Sequence, residues 1–190
     1  MFTDHVPFNE RLRADFLESD RLGVLEVPED DRVQALTKTL AEVMKSGQRS
    51  AVQRACSEFL IAAADFYRVG CPQVRVLAAR PLRVREGGWA TELFGDYHPE
   101  KKLIRVWMRT AVRRQVTSFG TFLSTLCHEF CHHLDYERFG LRDSQHTRGF
   151  YERTAALYHH AGGTPKKRLF WAPVTGGRWR MDWPRTNRGG

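Results

Sequence analysis

His128, Glu129 and His132 stand in the order His-Glu-x-x-His, within the run Thr125-Leu126-Cys127-His128-Glu129-Phe130-Cys131-His132-His133-Leu134-Asp135. On a helix, side chains four residues apart lie one above the other on the same face. His128 and His132 can therefore aim two imidazole nitrogens at one ion. Glu129 projects about 100° further round the helix, within reach of a water on that ion without binding the ion itself. Two nitrogen ligands, a third from elsewhere and one position left for water make a hydrolytic zinc centre. Zinc in such a centre lowers the pKa of its water to about 7 and polarises the carbonyl under attack. Glu129 is then the general base. A zinc that only held a binding module together would want four protein ligands, and no fourth accompanies this motif.

The third ligand has to come from further along, and two residues compete for the role. His146 follows His132 by 14 residues and has Phe150 one turn later, whereas Glu152 follows by 20, the spacing of gluzincin-type peptidases with a downstream glutamate. The metzincin pattern is excluded, because Asp135 and Arg138 stand where it requires Gly and His. His133 and Asp135 are expected to point away from the ion, Asp135 being able to orient a ligand imidazole. Tyr151, Arg153, Tyr158 and His159 are candidate donors to a developing oxyanion. The sequence does not choose among them.

The motif needs a helix, and the surrounding pattern supplies one. Phe119, Phe122, Leu123, Leu126, Phe130 and Leu134 recur at three- and four-residue spacing, with Thr117 or Ser118 as cap and Gly140 as stop. Upstream, Val33, Leu36, Leu40, Val43 and Met44 mark one helix, and Val52, Cys56, Phe59, Ala63 and Phe66 a second. The short link at 46–48 makes them an antiparallel pair. The period then falls to two: strands are expected over 74–78, 82–85, 90–97 and 102–108, the last carrying Leu103-Ile104-Arg105-Val106-Trp107-Met108. After Gly140, Asp143 and Ser144 are cap candidates for a further helix through Phe150, Thr154, Leu157, Tyr158 and Ala161. Asp15 to Leu22 suggests a short helix near the start. Residues 169–171 and 179–181 suggest a hairpin near the end, with the last few residues disordered. The organisation expected is an N-terminal segment 1–28, one α+β domain over 29–163 with N-terminal helices and a small antiparallel or mixed sheet, and a tail 164–190.

Taken together, Leu126-Cys127-His128-Glu129-Phe130-Cys131-His132 and His146-x-x-x-Phe150 resemble the SprT-like (Spartan-type) zinc metallopeptidases. The resemblance covers residues 90–162. In that family a His-Glu-x-x-His helix is followed, after a variable loop, by His-Gly-x-x-Phe/Trp. The departure is Thr147 at the usual Gly position, and the cysteine zinc ribbon of some members is missing. The resemblance implies a zincin-like domain, an endopeptidase activity, Zn2+ as cofactor and His146 as third ligand. It also implies an extended substrate paired with a free sheet edge beside the site, expected at the strand 102–108. Some members degrade proteins trapped on DNA.

The net charge of +8 bears on that last point. From Gly163 onward there are seven Lys/Arg and one Asp, so +6 sits in the tail and +2 in the rest. Lys166, Lys167, Arg168, Arg178 and Arg180 are interleaved with Trp171, Trp179 and Trp183, a pattern suited to phosphate contact and base stacking. A solvated tail or a strand closing the domain is the competing reading. The four cysteines, Cys56, Cys71, Cys127 and Cys131, form no Cys-x-x-Cys pair, which excludes a zinc ribbon or thioredoxin-type motif. Cys127 and Cys131 read as small apolar packing. The expected setting is reducing: cytoplasmic, or associated with nucleoid or nucleus. The longest apolar run, Phe59 to Ala64, is far too short for a membrane span, and no signal peptide is read at the start.

Overall fold

The computed structural model describes residues 1–84 and 90–189 and has an α+β architecture of six α-helices and small sheets. Two compact units divide the chain, Pro28–Leu134 on one hand and Met1–Val27 with Asp135–Gly190 on the other.

In the first unit the predicted helix pair is present as α2 (Arg32–Lys45) and α3 (Arg49–Tyr67). Val33, Leu40 and Met44 of α2 and Val52, Cys56, Phe59 and Ala63 of α3 are buried, as their spacing requires. Phe66 departs from the pattern: it is exposed, and its neighbour Tyr67 takes the inside position. Next come β1 (Gln73–Ala79), β2 (Leu82–Val84), β3 (Ala90–Glu92), β4 (Gly95–His98) and β5 (Leu103–Arg109). The strand expected over 90–97 is thus two strands with separate partners. β3 pairs with β2, and β4 pairs with β5. Arg85, at the end of the strand expected over 82–85, lies outside the described residues.

The three-stranded sheet has the order β1-β5-β4, with β1 parallel and β4 antiparallel to β5. It is the mixed form of the two expected. The order corrects one expectation. Strand 103–109 is bonded on both sides, so it has no free edge; the edge strands are β1 and β4. β5 is central because its residues are apolar on both faces, with Leu103, Ile104, Val106, Trp107 and Met108 all buried.

Helix α4 (Phe119–Glu137) carries the His-Glu-x-x-His motif. Ser118 is the cap, its Oγ accepting from the Thr121 N–H at 3.3 Å. Thr117 accepts instead from the buried Arg80 guanidinium at 2.7 Å, and Arg80 also pairs with Glu92 at 2.9 Å. The helix stops ahead of Gly140, whose φ is +69°, as predicted.

In the second unit, α1 (Glu10–Arg21) starts earlier than expected, capped by Asn9. It packs on α5 (Arg148–Ala161). The cap of α5 is neither Asp143 nor Ser144. Thr147 caps it, its hydroxyl accepting from the Phe150 N–H at 3.0 Å, while Ser144 bonds Asp135 and Asp143 bonds Gln145. A Cβ on Gly149 would meet the Ser19 carbonyl at 2.1 Å, so only glycine lets α1 lie this close to the first turn of α5. Near the end, β6 (Trp171–Val174) and β7 (Arg178–Met181) form the expected hairpin around 175–177. After it, Asp182 caps a short helix α6 (Trp183–Arg188), and Gly190, among the last residues expected to be disordered, lies outside the described residues.

Candidate metal centre

Helix α4 is enclosed on most of its circumference. Leu126, Cys127, Glu129, Phe130, Cys131, His133 and Leu134 are buried, while His128 and His132 sit on a part-exposed stripe that also includes Thr121 and Thr125. The helix therefore opens along the one face that carries His128 and His132. The two rings stand edge to face with centroids 4.8 Å apart, and their Nε2 atoms are 3.2 Å from each other. Two nitrogens at 2.0–2.1 Å from one tetrahedral zinc would be roughly 3.3 Å apart. The donor pair fits the ion. Among the described residues, the ligand atoms of His128, His132 and His146 all lie within 4.8 Å of one another.

Glu129 is buried, and burial pushes its carboxyl up to about 8, with the negative charge of Asp96 adding to the effect. A cation held by the neighbouring imidazoles would draw that value down again. Space for this carboxylate is made by Gly95 on β4. A Cβ there would stand 2.6 Å from Thr125 Cγ2 and 2.8 Å from Glu129 Oε1, so β4 can lie against the helix only with glycine at this position. Next to it, Asp96 is held by Arg105 through two hydrogen bonds, one of 2.7 Å from Nε.

His133 does point away from the pair. Its Nε2 donates to the Gly70 carbonyl at 2.7 Å, which puts the proton there and leaves Nδ1 to accept from the Tyr97 hydroxyl at 2.9 Å. Asp135 does not orient a ligand: its two oxygens take Arg153 at 2.8 Å and Ser144 at 2.7 Å. Arg153 is 1% exposed and turns its two terminal nitrogens to Ser19 and the Leu22 carbonyl as well as Asp135, which removes it from the candidate oxyanion donors. Tyr151 donates to the Phe2 carbonyl at 3.1 Å, burial raising its phenol, and His159 faces Thr164 at 2.8 Å. Glu152, the rival third ligand, pairs with Lys166 at 3.2 Å. Cys127 and Cys131 are both buried, in keeping with a packing role.

His146 immediately precedes α5. Its ring is stacked on Tyr151 at 5.9 Å and stands edge-on to Phe150 at 5.4 Å. Nδ1 lies 3.1 Å from Asp4 Oδ2. Burial raises the Asp4 carboxyl, but hydrogen bonds from His146 outweigh it and hold the group below the usual carboxylate range. Asp4, Gly95, Asp96 and Tyr97 were all missed by reasoning from sequence. Only Gly95 left a trace there, as a glycine inside a strand pattern.

The basic C-terminal residues are drawn into the structure to different degrees. Lys166 pairs with Glu152, Lys167 bonds Asn187 at 3.2 Å, and Arg168 and Arg178 lie over the rings of Phe170 and Phe2. Arg180 is exposed on β7. Among the described residues no helix is long and apolar enough to cross a membrane. No family model, curated protein or solved structure matches the chain.

Proposed function

We propose that this chain is a zinc-dependent endopeptidase of the SprT-like kind. His128, His132 and His146 hold the metal and Glu129 serves as general base. The observation that carries this is the group of three histidines, with a buried carboxylate on the helix that bears two of them. When bound, zinc supplies Lewis acidity toward water and the scissile carbonyl. The protein does the rest. Glu129 takes a proton from the attacking water on a carboxylate oxygen and delivers it to the leaving amine. The enclosure of α4 keeps bulk water from Glu129, so this proton transfer runs in a low dielectric. An extended substrate pairs with the outer edge of β4, the strand that passes beside Glu129.

The gluzincin-type reading, with Glu152 as third ligand, draws no support from a carboxylate already paired with Lys166. A purely structural zinc would leave the buried Glu129 without a purpose. A DNA-associated role rests on the charge of the C-terminal segment and on the exposed Arg180. DNA-stimulated cleavage of a bound protein is the assay for it.

The deciding experiment is zinc per chain in the wild type, His146→Ala and Glu152→Ala. The expected result is about one zinc per chain, retained in Glu152→Ala and lost in His146→Ala. Loss in Glu152→Ala alone would transfer the protein to the downstream-glutamate class. A wild type that takes up no zinc would end the metallopeptidase reading.

A further inference from the structure

The first residues of the chain are secured at every step. The Met181 N–H donates to the Met1 carbonyl at 3.0 Å, and the Thr3 N–H to the Trp179 carbonyl at 2.9 Å. The Trp179 N–H returns a bond to Thr3 Oγ1 at 2.9 Å, and Phe2 forms an antiparallel bridge with Arg180. Residues 1–3 thus run antiparallel beside β7, joined to it by a single bridge and its flanking hydrogen bonds, with Thr3 3% exposed. Phe2 is tied on two further sides, its carbonyl accepting from Tyr151 and its ring lying under the Arg178 guanidinium.

The residue delivered by this segment is Asp4. Its N–H donates to the His146 carbonyl at 2.9 Å. Its Oδ2 accepts from the His146 N–H at 2.8 Å and lies 3.1 Å from His146 Nδ1. One residue therefore grips both the backbone and the ring of the histidine. An ionised carboxylate can only accept, so the proton sits on Nδ1 and the lone pair on Nε2. A histidine ligand to a metal commonly has its second nitrogen held in this way, which sets both tautomer and ring angle.

We propose that Asp4 is the positioning residue for His146, held in register by the bridged pairing of residues 1–3 with β7, and that metal affinity depends on it. The proposal rests on the zinc reading above. It makes the start of the chain part of the metal centre, although no sequence pattern marks it.

The test compares wild type, Asp4→Asn, Asp4→Ala and His146→Ala as full chains. Zinc affinity is measured by competition with a chromogenic chelator, the visible spectrum is taken after loading with Co2+, and the metal-free thermal midpoint is recorded. Asp4→Asn keeps the shape and the ability to accept from the His146 N–H, so it guards against a folding defect. The expected loss of zinc affinity is about 10–100-fold in Asp4→Ala and smaller in Asp4→Asn. Altered Co2+ bands and an unchanged metal-free midpoint in Asp4→Asn should accompany it. If both Asp4 variants bind zinc as tightly as wild type while His146→Ala does not, the positioning role is wrong and the zinc reading stands. Weaker binding with unchanged Co2+ bands and a lowered metal-free midpoint would make Asp4 a stabilising contact only, and also overturns the proposal. A wild type that binds no zinc removes both.

Discussion

Glu129 has two properties that pull in opposite directions at the scale of the residue. Its position beside His128 suits a proton acceptor, and its burial favours the protonated acid. A cation among the imidazoles reconciles them, because it favours the charged carboxylate at short range. Glu129→Gln keeps the shape and removes the proton acceptor. Peptidase activity should fall about 10²–10⁴-fold while zinc content stays at the wild-type level, measured by peptide cleavage and metal analysis on the same preparation. A parallel fall in zinc content would show that Glu129 holds the metal rather than moves a proton.

The next scale is that of strand against helix. β4 approaches α4 so closely that Gly95 has no room for a methyl group. Gly95→Ala should destabilise the fold by about 1–3 kcal/mol through overpacking, read as a lower denaturant midpoint. It should also impair cleavage more than zinc binding, since the clash is with Thr125 and Glu129 rather than with the histidines. The start of α4 is fixed by a second device, the Arg80 guanidinium shared between Thr117 and Glu92. The Arg80 hydrogen bond lowers the Glu92 carboxyl against the opposing effect of burial, with the Ala111 N–H assisting. A depressed carboxylate stabilises the fold above its ordinary pKa, and that contribution disappears as pH falls through the lowered value. Glu92→Gln should therefore be less stable than wild type at neutral pH. The gap should close in acid below the usual carboxylate range, as followed by urea unfolding across pH.

For the whole molecule, the proposed three-histidine site would make zinc a ligand of the folded state alone. Mass-action linkage then requires zinc to raise stability with concentration, by about 2.7 kcal/mol at a free concentration 100 times Kd. Removing zinc with a chelator should lower the thermal midpoint of wild type and of Glu129→Gln alike, and leave that of His146→Ala unmoved. An unchanged wild-type midpoint at saturating zinc would count against the three-histidine site. The N-terminal segment carries the same logic to the far end of the sequence. Met1 to Asp4 belong with residues 135–190 in one compact unit, so the first and last segments act together.

What the sequence by itself determined is whatever depends on neighbours a few residues apart. The spacing of His128, Glu129 and His132, the apolar face of α4, the helix pair α2–α3 and the hairpin β6–β7 all follow from local periodicity and turn chemistry. The central strand was recognisable from its apolar run, but which strands lay at the edges was not, because pairing order depends on partners distant in sequence. The cap of α5 went to Thr147 rather than Ser144, since Asp135 competed for the Ser144 hydroxyl across nine residues. Asp4 is the extreme case. It lies 142 residues from His146, and nothing about an aspartate near a chain terminus marks it. Only the folded chain brings the Asp4 carboxylate onto the imidazole ahead of α5, because a hydrogen bond needs proximity in space and the sequence records proximity only along the chain.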